Sequence, residues 1–290
     1  MKLSRTLFFS FLVLTLPHAG AVVNLSNSTY NTSEPTNSDI PNWTTGWGGP
    51  AGTTGWDYVG IVNSGSGGAA SGTYLKNQWV ITAAHVVTAT SFTLGGTLYN
   101  IEAGSVHTFT NPDTSQADIV LFRLTLAPNL PDLVISSSAP VPFSNINAGS
   151  KVVMIGFGDG GSKSTEAWGY NTVTANNVTV SLAPYTTTDF ETAYGTTSST
   201  FNGSVTNNYT LRDGDSGGGD FIFNGSTWNL AGINEAVDLN NNNSYMVQLS
   251  NYKSQIDAVT AVPEPSTYWL IGLGALVLVG PSLKRGKIRL

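Results

Sequence analysis

The feature that most constrains the fold of this chain is a succession of short apolar and aromatic runs, each ended by glycine, asparagine or another turn-forming residue. Short runs rich in valine, threonine and aromatic side chains favour strands, and the residues between them favour tight turns. Only 10% of the residues are charged, whereas long helices are usually rich in Glu and Lys as well as Ala and Leu. The sequence therefore predicts an all-β fold.

The predicted strands follow one another at the spacing that is typical of a sandwich or a barrel. They cover residues 58–62, 71–75, 79–82, 91–94, 97–102, 119–124, 151–157, 172–174, 178–182, 220–223, 228–234 and 245–249. Gly95-Gly96 separates two alternating runs and predicts a hairpin. One late helix is predicted over residues 251–259, and the sequence contains no visible internal repeat.

The first 21 residues have the order of a secretory signal peptide. Lys2 and Arg5 precede an apolar stretch over residues 7–16, and the small-residue site Ala19-Gly20-Ala21 follows. We therefore expect cleavage after Ala21. The alternative is an uncleaved N-terminal anchor, although the apolar stretch is short for a membrane span.

The last 30 residues, 261–290, have the order of a sorting tail. Val262-Pro263-Glu264-Pro265-Ser266 precedes an uncharged run over residues 268–283, and four basic residues follow that run. This order resembles the PEP-CTERM sorting signal of Gram-negative bacteria. The resemblance implies an exosortase as partner, membrane anchoring through the transmembrane run before processing, and delivery to the cell surface or extracellular matrix. A permanent single-span anchor is the alternative.

Two further segments lie between these ends. Residues 22–52 are rich in Asn, Ser, Thr, Gly and Pro, which indicates a loose N-terminal arm, packed on the main domain by Trp43 and Trp47. Residues 53–260 contain the predicted strands. Residues 22–262 carry six Lys or Arg and seventeen Asp or Glu, a net charge of −11, which argues against a nucleic-acid partner. The absence of cysteine excludes disulfides and thiolate metal sites.

The segment Arg212-Asp213-Gly214-Asp215-Ser216-Gly217-Gly218-Gly219 contains the candidate nucleophile. Glycines on both sides of Ser216 allow a sharp turn and a close approach of substrate. A backbone without side chains in the way can aim its N–H groups at the oxyanion of an acyl-transfer intermediate. A serine hydroxyl also needs a base to become a good nucleophile at neutral pH.

The candidate bases are few, because the chain has three histidines and His18 belongs to the predicted signal peptide. His85 follows the small Ala83-Ala84 pair, which permits close packing just before the imidazole. His107 stands in an ordinary alternating stretch, and we expect a solvated or structural role for it. Asp118, directly before the apolar run 119–122, could orient the imidazole of His85. From the pattern alone, a strand-capping role for Asp118 is equally acceptable.

Three segments together resemble the signatures of the chymotrypsin–trypsin family: Thr82-Ala83-Ala84-His85, Asp118-Ile119-Val120-Leu121 and Gly214-Asp215-Ser216-Gly217-Gly218. They occur in the family's chain order and cover roughly residues 56–259. The resemblance implies two six-stranded antiparallel barrels with a short C-terminal helix. It also implies His85 as general base and acid, Asp118 as its orienting partner, Ser216 as nucleophile, and the N–H groups of Gly214 and Ser216 as the oxyanion hole. This chemistry needs no metal or cofactor.

The sequence departs from this family at two places. No Ile-Val-Gly-Gly terminus follows a basic residue, so we expect Asp215 to be satisfied by an internal group or by an N-terminus that another protease makes. The resemblance places the substrate pocket at Thr210, Asn234 and Glu235. A neutral Thr210 at its base argues against a preference for Arg or Lys, and Glu235 stands where Ser-Trp-Gly is usual; it either lines the pocket or marks a shifted wall.

The sequence thus predicts a secreted or surface-sorted serine endopeptidase that acts on proteins or peptides. The alternative is a non-catalytic surface or matrix protein on a protease fold, because a fold does not fix a function. An esterase with the same triad is disfavoured, because its histidine usually follows the nucleophile in the chain.

Overall fold

The structure is a computed structural model that describes residues 22–25, 28–64, 69–86, 89–144, 147–158, 165–200 and 203–261. The predicted signal peptide and the predicted span over residues 268–283 lie outside the described residues. Within these ranges, no helix is long and apolar enough to cross a bilayer.

The regular secondary structure of the described part of the chain is mostly antiparallel β-strand. In chain order these are β1 (Val23–Asn24), β2 (Thr29–Tyr30), β3 (Val59–Ser64), β4 (Ala69–Lys76), β5 (Trp79–Thr82), β6 (Ala89–Leu94), β7 (Thr97–Asn100), β8 (His107–Thr110), β9 (Gln116–Arg123), β10 (Lys151–Gly156), β11 (Ala167–Thr172), β12 (Ala175–Leu182), β13 (Tyr185–Ala193), β14 (Thr196–Thr200), β15 (Gly203–Asn207), β16 (Tyr209–Thr210), β17 (Gly219–Phe223), β18 (Trp228–Asp238) and β19 (Asn243–Gln248). Short 3₁₀ segments cover Gly55–Tyr58, Ala84–Val86 and Leu249–Asn251, and helix α1 covers Lys253–Thr260.

The first barrel is formed by the strands from β3 to β9, in the order β7-β6-β3-β4-β5-β9-β8. It closes because the chain after β7 pairs with the end of β9: a bridge joins Ile101 to Leu124, and the N–H of Glu102 donates to the carbonyl of Arg123 at 2.8 Å. Six strands thus surround a core that includes the fully buried side chains of Phe92 and Ile81, and β8 pairs with β9 along the edge opposite β5.

The second barrel has the strand order β11-β10-β17-β18-β19-β13-β12. Only Val173 and Thr174 separate β11 from β12, and the N–H of Thr174 donates to the carbonyl of Glu191 on β13 at 2.8 Å. β11 and β12 therefore act as one bent strand, which pairs with β10 through its first half and with β13 through its second. This continuity closes a ring of six strands.

The all-β prediction, the two six-stranded antiparallel barrels and the short C-terminal helix are confirmed. Of the strand predicted over residues 172–174, Thr172 ends β11, and Val173 and Thr174 form the bend between β11 and β12. Strand β13 was missed, because its Thr- and acid-rich sequence lacks the apolar alternation of a half-buried strand. Pairing with β12 on one side and β19 on the other stabilises β13 as a strand, although its own sequence pattern does not predict one.

The N-terminal arm packs closely on the second barrel. Trp43 is fully buried, and its ring contacts those of Trp47, Phe221 and Trp228. Trp47 stacks on Trp228 with ring centroids 5.5 Å apart. The start of the arm adds a strand to the same barrel region, because β1 pairs with β16. Burial of these large rings fixes the path of the arm.

Candidate active site

The candidate nucleophile lies in the loop between β16 and β17. Gly214 and Gly217 have positive φ angles of 94° and 85°, which side chains of L-residues rarely permit. A Cβ atom on Gly217 would also lie 2.1 Å from Oγ1 of Thr82. Glycine at this position is therefore required both by the backbone turn and by the close approach of the first barrel.

His85, Asp118 and Ser216 lie in one hydrogen-bonded chain. Nδ1 of His85 is 2.5 Å from Oδ2 of Asp118, and Nε2 of His85 is 2.9 Å from Oγ of Ser216. An anionic Asp118 requires a proton on Nδ1, which leaves the lone pair of Nε2 to accept the hydroxyl proton of Ser216. The structure thus brings together three side chains that the sequence analysis singled out separately.

The strand pairing of the first barrel explains why His85 and Asp118 meet. β5 runs antiparallel to β9 with Thr82 opposite Val120, and His85 follows β5 in the short 3₁₀ segment. Asp118 precedes Val120 on β9, so the two side chains approach each other at the same end of the pair. Oδ1 of Asp118 also accepts the backbone N–H of His85 at 2.7 Å. Asp118 is fully buried, whereas the side chain of His85 is 33% exposed.

Ser71 on β4 holds the nucleophile loop against the first barrel, a role that sequence reasoning missed. Its N–H donates to the carbonyl of Ser216 at 3.0 Å, and its hydroxyl donates to the carbonyl of Gly214 at 2.9 Å. The same hydroxyl accepts the N–H of Phe157 at 2.8 Å. Nothing in the local sequence marks Ser71, because its partners lie far along the chain.

Asn234 on β18 holds the other side of the loop. Its carbonyl accepts the N–H of Gly217 at 2.8 Å, and its own N–H donates to the carbonyl of Gly218 at 2.9 Å. The side-chain amide donates to the carbonyl of Ile155 at 3.0 Å. These contacts fix the loop between the two barrels.

The backbone N–H groups of Gly214 and Ser216 donate to no protein acceptor in the described part of the chain. An oxyanion is stabilised by N–H donors that converge on it and have no other acceptor, so these two groups are available for that role. The positive φ of Gly214 helps to set the orientation of this stretch of backbone.

Asp215 is fully buried, and its partners are backbone N–H groups. Arg212 donates to Oδ2 at 2.8 Å and Gly158 donates to Oδ1 at 2.9 Å, while Val22 also donates through its backbone. Burial raises the pKa of Asp215 to about 7, and the three N–H donors with the nearby charge of Arg212 oppose that rise. In the structure the partners of Asp215 are thus main-chain N–H groups, and one of them belongs to Val22, the residue after the predicted cleavage site.

The remaining residues that the sequence analysis named lie elsewhere. His107 is exposed, and its ring packs on Phe109. Thr210 and Asn234 are fully buried and Glu235 is 4% exposed, so direct contact with a substrate would need their neighbours to move. Their assignment to a substrate pocket stays a prediction. The described residues contain no group of three or more His, Asp or Glu side chains that could hold a metal ion.

Comparison with known proteins gives a family match for most of the chain. A sequence model described as Trypsin matches residues 45–256, and one described as the PEP-CTERM protein-sorting motif matches residues 261–280. No curated protein matches the sequence.

Solved structures with a similar fold include the inactive form of a serine-to-alanine mutant of Rv3671c from M. tuberculosis H37Rv. It is 16% identical, has a TM-score of 0.51, and the match covers 81% of this chain and 98% of that chain. A mutant of human heparin binding protein is 17% identical, with a TM-score of 0.50 and coverage of 76% and 99%. At these identities the likeness shows the fold alone.

Proposed function

Because this chain belongs to the trypsin family, we propose that it is a serine endopeptidase that hydrolyses peptide bonds through an acyl-enzyme on Ser216. The observation that supports this most directly is the separation of 2.9 Å between Nε2 of His85 and Oγ of Ser216. The buried carboxylate of Asp118 lies on the other side of the imidazole and accepts the proton of Nδ1, so Nε2 is left to accept the proton of Ser216.

In the proposed reaction, His85 removes the hydroxyl proton while Oγ of Ser216 attacks the carbonyl carbon of the scissile bond. Asp118 stabilises the resulting imidazolium and holds its tautomer. The N–H groups of Gly214 and Ser216 donate to the oxyanion, and loss of one such donor typically costs about 3–4 kcal/mol of transition-state stabilisation. The imidazolium then protonates the leaving amine, and His85 activates a water that releases the acyl group.

The substrates we propose are extracellular or surface proteins and peptides. We assign the primary pocket to Thr210, Asn234 and Glu235, which are buried and would be uncovered by movement of their neighbours. A threonine at its base provides no anionic partner for Arg or Lys, so we expect neutral side chains to be preferred there.

Export and sorting follow from the two ends of the chain. The PEP-CTERM motif at residues 261–280 indicates export and sorting to the cell envelope or surface. We propose that a signal peptidase cleaves after Ala21 and that an exosortase removes the C-terminal tail, which anchors the protein in the membrane until then.

A non-catalytic surface or matrix protein is the second candidate. It is supported by the fold itself, since one of the similar structures is named a heparin binding protein and a fold does not fix a function. The hydrogen-bonded arrangement of His85, Asp118 and Ser216 argues against it, since a binding protein has no need of this arrangement.

A fluorophosphonate probe tests the two candidates. We expect the protein without its two end segments, residues 22–261, to be labelled on Ser216 and to cleave a casein or peptide-library substrate. The Ser216→Ala variant should lose both the label and the cleavage. Thr90→Ala, which removes an exposed hydroxyl of the first barrel, is the matched control and should keep both. Folded wild-type protein without label would overturn the protease proposal and favour the matrix protein.

A further inference from the structure

Two carboxyl groups that the proposed chemistry does not use lie inside the second barrel, near the triad. Asp189 on β13 is fully buried, and Glu235 on β18 is 4% exposed. β13 contacts β9, the strand of the first barrel that carries Asp118. Glu235 stands at a bulge between Asn234 and Ala236, directly after the residue that holds the nucleophile loop. The two carboxyl groups thus lie in the part of the second barrel that packs against the strand of Asp118.

The polar contacts of this pair require a proton. Oγ1 of Thr187 lies 2.7 and 2.8 Å from the two oxygens of Glu235, but one hydroxyl proton serves only one of them. Neither oxygen of Asp189 accepts a well-aligned hydrogen bond from an N–H or hydroxyl group in the described part of the chain. The side chains within reach of Asp189 are the carboxyl group of Glu235 and the hydroxyl of Thr187, and two carboxyl groups can hydrogen-bond to each other only when one is protonated.

The surroundings of the pair also oppose a second negative charge. Burial raises the pKa of Asp189 to about 7 and that of Glu235 well above its ordinary value, and the charge of Asp118 raises both further. Among the described residues, no lysine or arginine forms an ion pair with either carboxyl group. The other titratable groups near the pair are acids and phenols, with the imidazole beyond Asp118: Asp220, Tyr245, Tyr252 and His85.

We propose that Asp189 and Glu235 are a positioning pair for the triad, in which one shared proton controls the negative charge behind Asp118; this rests on the proposed function. At acid pH both carboxyl groups are protonated and the pair is neutral. As the pH rises through neutrality the pair loses one proton and keeps the other between its two members. The added negative charge favours the protonated imidazole of His85, so activity rises with pH less steeply than a single ionisation requires.

The test is the pH dependence of kcat/KM for the wild type and for two isosteric variants. In Asp189→Asn the remaining carboxyl group is Glu235, whose pKa burial raises well above its ordinary value, so the pair should stay neutral. The acid limb of its profile, over which activity rises with pH, should follow one ionisation and lie about half a pH unit or more below that of the wild type. Glu235→Gln gives Asp189 an amide donor and keeps it anionic. Its acid limb should also follow one ionisation, but at higher pH than that of Asp189→Asn.

The matched control is Glu191→Gln, which alters a partly buried carboxyl group on the same strand that accepts from Thr174. It should reproduce the wild-type profile. Coincident profiles for the wild type, Asp189→Asn and Glu235→Gln would overturn the positioning pair. If the two variants only disturbed packing, kcat would fall equally at every pH and their acid limbs would lie at the same pH. That result would also overturn the positioning pair.

Infrared difference spectra measure the shared proton without any need for activity. In the Ser216→Ala background, raising the pH through neutrality should remove a buried carboxylic acid band that is absent from Asp189→Asn. Persistence of the same bands in both proteins would overturn the pair. Failure of the protease proposal would be seen separately, as a folded wild type that no fluorophosphonate labels.

Discussion

The backbone N–H of Val22 donates a hydrogen bond to the buried carboxyl group of Asp215, the residue before the proposed nucleophile. Val22 is itself fully buried, and the next residue, Val23, pairs with Thr210. Proposed cleavage after Ala21 would turn this nitrogen into a terminal ammonium group. An ammonium beside a buried carboxylate forms a charge-assisted hydrogen bond, which is stronger than one from a neutral amide.

We therefore predict that a free Val22 terminus is needed for full activity. Protein that begins at Val22 should have a kcat/KM about tenfold or more above that of protein that keeps Gly20-Ala21, since about 1.4 kcal/mol corresponds to tenfold. Mass spectrometry establishes each terminus before the kinetic measurement. The same two residues added after Ala261 are the control and should have no effect. Equal kcat/KM for both N-termini would contradict the prediction.

Asp118→Asn should lower kcat by about 10⁴ with little change in thermal stability. The Asn amide would donate towards His85 and favour the tautomer that cannot accept the proton of Ser216. Steady-state kinetics on a peptide substrate measure the loss. Asp113→Asn, which alters an exposed carboxyl group of the same barrel, should leave kcat within twofold of the wild type, roughly the scatter of surface substitutions. A similar kcat for both variants would contradict the orienting role of Asp118.

Ser71→Ala should lower kcat by about 10- to 100-fold while KM changes little, since the loss of one hydrogen bond to the loop carbonyl of Gly214 misplaces the oxyanion donors. Loss of the hydroxyl also leaves the N–H of Phe157 without this acceptor. Ser91→Ala on β6, which removes a hydroxyl outside the site, is the control. A rise in KM with an unchanged kcat would show that Ser71 acts on substrate binding instead.

The folded protein should be more stable at mildly acid pH than at alkaline pH. Asp220 is fully buried without a partner for either oxygen in the described chain, and burial raises its pKa well above the ordinary value. When the pKa of a carboxyl group is higher in the folded protein than in the unfolded chain, its protonated form favours folding. This contribution to stability is fully present below the unfolded pKa and is lost as the pH rises through the folded pKa.

In the Ser216→Ala background, which prevents self-cleavage, Tm should therefore fall by several degrees between about pH 5 and about pH 8. Asp220→Asn should reduce this fall, because an amide does not titrate, whereas the exposed Asp39→Asn should not. Calorimetry measures both. A Tm that rises over this range would contradict the prediction.

Trp43→Ala should lower the free energy of unfolding by about 3–5 kcal/mol, since it removes a fully buried ring between Trp47 and Trp228. Chemical denaturation measures the change. Leu126→Ala, at a side chain that is 68% exposed, should change stability by less than about 0.5 kcal/mol. Equal stability of the two variants would show that the arm does not belong to the folded unit.

The sequence by itself determined the fold class, the turn around Ser216 and the sorting motif at the C-terminal end. These are local properties: a glycine permits a positive φ, and a threonine- or valine-rich run favours a strand, whatever the rest of the chain does. The pattern therefore pointed to His85 and Ser216 without any knowledge of their distance.

Only the tertiary structure decided which polar side chains meet in the interior. Ser71 reaches Gly214 because one barrel packs against the other, and Asp189 reaches Glu235 because β13, β19 and β18 lie side by side. Such contacts depend on register and closure between strands that are distant in the chain, and no short window of sequence contains that information. Burial then changes the chemistry: a carboxyl group on a solvated strand is an ordinary acid, and the same group inside a barrel holds its proton to much higher pH.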